Sequence, residues 1–430
     1  MGTFLYYLSG KTVKIKHILD IRAMGKGGRL LPLSHKILLI FNAISVGIIV
    51  PVLTLIFFQH GGSSETLWAI MGAYSVSVVI LEIPSGMIAD FIGRKKVFVL
   101  SHILSLISFF LIINSNSLWL LIIAVIFLGA SRAFASGSVE ALEVELFIKK
   151  NGVEKLDTIN NILSIIDSVG TFLGAALGGF LGYLDNTYTI LLILLIISEI
   201  IIIFFSMAVI HETNTSVVYR LETSLWKRLK ANLLLVIAEI KNTRIVLNIV
   251  LMSLVLGISL STIETYWQST FIRYISPQKN WLLGIISCSA YIGVGLGSSV
   301  GKYCFNLLKK HRKYAKISYY FTRVLLPVSL MGIYICKNGI WFAVNYFVMY
   351  LILGVGNLVE NTVLHASIQN SHRASILSCI SLAIKAGGLV TSFLGGIILK
   401  NTEIAIIWLV APIVSIFIIA CIIYKFDLSA

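Results

Sequence analysis

Only 12% of these 430 residues are charged, against 57% hydrophobic and a mean hydropathy of +0.93. Soluble domains carry about 25% charged residues, so the composition excludes a water-soluble globule and predicts a polytopic membrane protein. The formal net charge of +15 gathers on alternate loops, which marks topology and argues against a nucleic-acid-binding face.

Residues 1–34 form a basic lead with Lys11, Lys14, Lys16, Arg22, Lys26 and Arg29, suited to lying on anionic lipid. The first apolar run follows it and is longer than the core of a signal peptide, so no cleavage is expected. Twelve apolar runs then appear, near 35–58, 66–89, 96–114, 117–138, 158–183, 187–210, 244–270, 281–303, 315–336, 339–364, 374–399 and 402–424. A run of about 20 residues spans ~30 Å of hydrocarbon. Backbone groups in lipid must be satisfied within the segment, which predicts helices; the period-2 alternation of a membrane barrel is absent. With twelve spans the two termini share a side. That side collects 27 of the 34 Lys and Arg residues and the opposite side 4, so the positive-inside rule places both termini in the cytoplasm, here of a bacterial-type plasma membrane.

The organisation is bipartite. A six-helix bundle over 35–210 and another over 244–424 flank a polar linker at 211–243, with an amphipathic helix expected around Leu225–Ile240 and a short tail at 425–430. An internal repeat supports duplication: the Gly-Gly pair in GTFLGAALGGFLG (170–182), in the fifth run, aligns with that in GGLVTSFLGGIIL (387–399), in the eleventh. The cysteines Cys288, Cys304, Cys336, Cys379 and Cys421 have no ligand spacing and read as small packing residues. No G-x-x-x-x-G-K-[ST] loop occurs, so no ATPase activity is expected, and no cofactor or metal site is predicted.

The turn after the second run reads EIPSGMIADFIGRKK (82–96). Gly86 lets backbones approach, Gly93 reverses the chain, and Asp90 can pair with Arg94 and with a neighbouring helix N-terminus. Glu82 stands one turn before this cluster. Arg132 lies in the fourth run, and Arg132, Ser136 and Glu140 recur every four residues as one polar stripe. In the fifth run Asp167 precedes SVGTFLGAALGGFLG, where Gly170, Gly174, Gly178 and Gly179 allow close helix packing.

GMIADFIGRKK resembles the signature of the major facilitator superfamily, with Gly86, Asp90, Gly93, Arg94 and Lys95 in place and Phe91 where a base is frequent. The glycines of the fifth run resemble the family's antiporter motif, with Ala175 at its proline position. The resemblance implies an all-α integral membrane fold of twelve helices in two pseudo-symmetric six-helix bundles, working by alternating access as a monomer. The 82–96 turn would be its gating latch. It further implies export of a small amphipathic compound, such as a drug or secondary metabolite, in exchange for protons; a symporter or facilitator importing a nutrient would share the latch.

Ionisable groups inside a membrane are functional suspects by default. Asp167, with Arg132 as its cation, is the first candidate for proton exchange. Glu264, Trp267, Gln268 and Phe271 share a helical face in the seventh run, a combination suited to a cationic or amphipathic substrate. Asn357, Glu360 and Asn361 line the tenth run. Lys385, in the eleventh, is expected to meet Glu360 or an anionic substrate group. In the family the third, sixth, ninth and twelfth helices pack outside the cavity, which makes Glu199 and Arg323 structural.

Overall fold

The computed structural model describes residues 31–212, 244–276, 279–308, 312–367, 373–400 and 402–427. The lead up to residue 30 and the linker helix expected around 225–240 lie outside the described residues. Among those described, every regular element is helical. In chain order they are α1 (Leu33–Ile49), α2 (Leu53–Gln59), α3 (Leu67–Ile92), α4 (Arg94–Ile113), α5 (Leu118–Ala135), α6 (Val139–Asn151), α7 (Leu156–Leu184), α8 (Thr189–Val209), α9 (Arg244–Phe271), α10 (Leu282–Leu308), α11 (Arg312–Ile335), α12 (Gly339–Ser367), α13 (Arg373–Ile398) and α14 (Ile407–Asp427).

Among the described residues nine helices are long and apolar enough to cross a bilayer, and two bent pairs bring the number to eleven. The first predicted span is broken at Pro51, where α1 and α2 meet at 54°. The second bends by 48° between Leu67–Glu82 and Pro84–Ile92. Proline lacks the N–H of the helical ladder and crowds the preceding turn, which accounts for both bends. The twelfth helix is α11, which packs on α12 and α14; its basic first turns, Arg323 and its tyrosines make it less apolar than the rest.

The two halves share one packing plan. In the first, α1 lies on α7, α3 and α4 on α5, and α8 on α4 and α1. Six spans later α9 lies on α13, α10 and α11 on α12, and α14 on α11 and α9. The halves join through α3–α13 and α7–α10, two contacts that exchange under the same pseudo-symmetry.

Glycine sets the tightest of these crossings. A Cβ on Gly174 would stand 2.8 Å from Gly47 Cα, and one on Gly47 2.9 Å from Gly174 Cα. Gly170 and Gly178 likewise fit against Ala43 and Ile48 of α1. The equivalent crossing in the second half uses Gly387 against Leu254, Gly257 and Ile258. Without hydrophobic driving force between helices in lipid, such close van der Waals approach is what holds them.

The apolar core is uneven along the membrane normal. One continuous cluster joins both halves at the end away from the termini, through Phe57, Leu67, Tyr266, Phe271, Leu283, Phe342 and Trp408. Toward the termini the clusters separate. Leu38, Phe98, Leu142, Phe147 and Ile202 belong to the first half alone, and Met252, Tyr319, Val359 and Ile422 to the second. Among the described residues the core is therefore shared at one end and divided at the other.

Candidate functional site

The seal is built from side chains that cross between halves. The Gln268 side chain accepts from Thr54 N–H at 3.3 Å and donates to the Val50 carbonyl at 2.5 Å, where the break at Pro51 leaves that carbonyl available. Thr54 Oγ1 donates to the Thr265 carbonyl at 3.3 Å. Beside them Gly179 faces Gly284 across the α7–α10 join, and Gly396 rests on the Trp68 ring. Moving toward the termini, Gly72 meets Ser392 and Gly388 meets Ser75. Next comes an ion pair, Lys385 Nζ on Glu82 Oε2, with Ser381 Oγ donating to Glu82 Oε1 at 3.5 Å. One turn beyond, a Cβ on Gly86 would meet nothing within 4 Å. The close approach expected at Gly86 is not made in this conformation.

On the terminus side of these contacts, charged side chains of the two halves address one another. Arg132 stands in the last turn of α5, which ends at Ser136 because Gly137 takes φ +74°. The polar stripe expected on one helix is therefore cut: Glu140 belongs to the next helix, α6. Even so, Arg132 lies within electrostatic reach of Glu140, Asp167, Glu264, Tyr74 and Lys385. Asp167 is half-buried on α7, where its backbone carbonyl accepts from Thr171 Oγ1 at 2.6 Å. Glu264 is half-buried on α9, and among the described residues its buried Oε1 has no hydrogen-bond partner. Its charge reaches Tyr291, Tyr346 and Tyr350.

The rest of the α9 face divides. Trp267 packs on Tyr346 with ring centroids 5.1 Å apart and Phe271 on Phe342 at 5.2 Å, both inside the second half. Gln268, 2% exposed, belongs to the seal. Glu360 is wholly buried and away from Lys385: Arg323 holds its carboxylate, Tyr319 Oη donates to it at 3.1 Å and Ser253 Oγ at 3.4 Å. The Arg323 guanidinium also stands 5.5 Å from the Tyr319 ring centre. A pair on adjacent helices thus takes the partner expected for Lys385. Asn357 is buried one turn earlier on α12, and the Asn361 side chain lies outside the described residues. Glu199 pairs with His102 at 2.5 Å, buried between α8 and α4.

At the divided end, Gly93 at φ +101° reverses the chain between α3 and α4. Arg94 reaches Asp90 at 3.6 Å and Glu145 of α6 at 3.7 Å, and donates to the Gly137 carbonyl at 3.3 Å. The first two N–H groups of α4, on Arg94 and Lys95, donate to the Glu212 carboxylate at 2.8 and 3.3 Å. Lys95 Nζ donates to the Met207 carbonyl at 2.8 Å. All of these partners lie in the first half or, for Glu212, at the start of the linker that follows it, while the Asp90 side chain is 72% exposed. Glu145 and Glu212 were not singled out from sequence; the available signal was two acids among the basic residues of one membrane face.

Helix α6 links several of these places. Glu140 addresses Arg132 and Asp167, buried Glu143 bonds His35 Nδ1 at the start of α1, and Glu145 meets Arg94 in the turn. Among the described residues no three His, Cys, Asp or Glu side chains converge as metal ligands.

The sequence model of the Major Facilitator Superfamily matches residues 37–371. The chain is 23% identical over 309 residues to the quinolone resistance protein NorA of Staphylococcus aureus (strain MSSA476), covering 72% of this chain and 74% of that one. It is 26% identical over 174 residues to an uncharacterized transporter of Buchnera aphidicola, covering 40% and 44%. Its fold is similar to crystal structures of the nucleoside transporter NupG: a mutant form superposes with a TM-score of 0.73 at 14% identity, over 92% of this chain and 99% of that one. Another NupG structure gives 0.69.

Proposed function

Because the chain belongs to the Major Facilitator Superfamily it is a transporter and no enzyme, and we propose that it exports a small amphipathic compound in exchange for protons. The observation that carries this reading is that Arg132 of the first half stands within electrostatic reach of Asp167 and Glu140 in its own half and of Glu264 in the other. A carboxylate held inside the membrane without a dedicated cation is where a proton and a cationic or polar substrate can exchange. Glu264, with one oxygen lacking a hydrogen-bond donor, and Asp167, which shares Arg132 with Glu140, both qualify. Glu82 and Glu360 do not, since Lys385 and Arg323 hold them.

Transport proceeds by alternating access. In the conformation seen here the outer seal is closed, and among the described residues the cores of the two halves separate toward the latch turn, the end that the positive-inside rule assigns to the cytoplasm. An exporter would load its substrate here, then close the latch and part the seal. The glycine crossing of α1 and α7 supports antiport through tight packing of a cavity helix, and the similarity to a quinolone resistance protein supports a drug-like substrate. The similarity to a nucleoside transporter fold favours a second reading, solute import driven by the same groups.

Purified protein in vesicles with a trapped pH dye separates the two. After a proton gradient is imposed, lipophilic cations, antibiotics, nucleosides and sugars are added in turn. Dissipation of the gradient with the compound moving against the proton is the expected result; compound and proton moving together would establish the import reading.

A further inference from the structure

The α3–α13 join changes character along its length, and the Glu82–Lys385 pair marks the change. On the outer side of the pair the helices touch at Trp68–Gly396, Gly72–Ser392 and Ser75–Gly388. On the side toward the termini α3 bends by 48° at Pro84, Gly86 faces open space and Asp90 is exposed. The pair itself is half-buried, its side chains 16% and 13% exposed for Glu82 and Lys385.

Two bodies that alternate which end is closed must part where they now touch and touch where they now gape. Only a contact at the crossover can be kept in both states. We propose that Glu82–Lys385 is that crossover: a pivot that stays bonded through the transport cycle and positions the two halves, and not a gate that breaks. A charged pair suits the task because long flexible side chains tolerate rotation, while removal of either partner would strand a charge in a low-dielectric setting. The freed carbonyl and missing N–H at Pro84 give the latch limb of α3 compliance immediately beside the pivot. The inference rests on transport by alternating access.

The test contrasts two tethers in a background lacking Cys288, Cys304, Cys336, Cys379 and Cys421. In the first variant, Glu82→Cys with Lys385→Cys, the positions are joined by a bifunctional methanethiosulfonate of matching length. In the second, Gly72→Cys with Ser392→Cys, they are joined directly, since a Cβ on Gly72 would lie 3.3 Å from Ser392 Cβ, just inside the roughly 3.5–4.5 Å of a disulfide, so a slight parting of the helices seats the bond. Loss of the pair should slow transport roughly tenfold, about 1.4 kcal/mol on the barrier, and the first tether should restore most of that rate. The second tether should stop transport until reduced. Maleimide labelling of Thr54→Cys in the outer seal gives a readout that needs no transported compound. It should persist with the first tether and vanish with the second, so that the pivot can be judged even if the exporter reading fails. If the first tether abolishes transport and labelling reversibly, the pair is a gate. If neither tether affects them, the α3–α13 join is static. Either result overturns the proposal.

Discussion

A single side chain decides the chemistry only where its partners leave it something to do. Glu264 and Asp167 have that freedom; Glu360, locked between Arg323, Tyr319 and Ser253, does not. Asp167→Asn and Glu264→Gln should each abolish gradient-driven export while leaving downhill exchange measurable in vesicles, whereas Glu360→Gln should lower the unfolding temperature in detergent through the stranded Arg323. Full uphill export by both the Asp167 and the Glu264 variants would remove these acids from the mechanism. Outside the membrane, Asp185 makes a simpler case. Slight burial raises its carboxyl pKa, but Thr187 Oγ1–H at 2.5 Å and the N–H groups of Ile190 and Thr187 at 2.9 Å outweigh it and hold the group below the usual carboxylate range. A lowered folded-state pKa means stability present above the unfolded value and lost as pH falls through the folded one. Asp185→Ala should therefore cost no more than about 1 kcal/mol at neutral pH, the scale of a helix cap screened by solvent. The deficit should fade below about pH 4, near the reference aspartate value, in detergent melts taken across pH.

Helices were legible where physics repeats itself. Twelve runs of about 20 apolar residues satisfy the bilayer's length, and Pro51 and Pro84 stand at the two bends. Helix α6 was not legible as an element, because VEALEVELFIKK carries too much charge for a span. Nor were the ion pairs. Glu82 and Lys385 lie in opposite halves of the chain, and whether they meet depends on how each helix is rotated about its axis, which hydropathy leaves undetermined in helices apolar on most sides. The glycines of α7 were readable as a packing face, though not which helix they face, which proved to be α1 for Gly170, Gly174 and Gly178 and α10 for Gly179. Adding a side chain at Gly174 would press it into the Gly47 backbone, so Gly174→Val should destabilise the folded protein by at least ~2 kcal/mol, in the range of overpacked sites. Thermal unfolding in detergent measures it, with Gly295→Val, where a Cβ meets nothing within 4 Å, as the near-neutral comparison.

At the scale of the whole molecule the deciding fact is the unequal core: shared by both halves at one end, private to each at the other. The seal depends on Gly179 and Gly284 touching backbone to backbone. Gly179→Trp should wedge the seal, raise labelling of Thr54→Cys and abolish turnover while leaving substrate binding within about threefold, a difference below ~1 kcal/mol. Binding lost together with turnover would instead place the substrate at the wedge.

Helix α6 has a thermodynamic consequence. Glu140, Glu143 and Glu145 leave it in three different directions, because no two of them are separated by a whole number of helical turns; Glu143 holds His35, Glu145 meets Arg94, and Glu140 stands in the field of Arg132. A rod held at two contacts and in a field at a third resists both turning and sliding. A change of charge on Asp167 should thus be felt at His35 and at Arg94, with equal influence in reverse. The energies of changes at these three distant places should fail to add, and the size of that failure is the stiffness of one thirteen-residue helix.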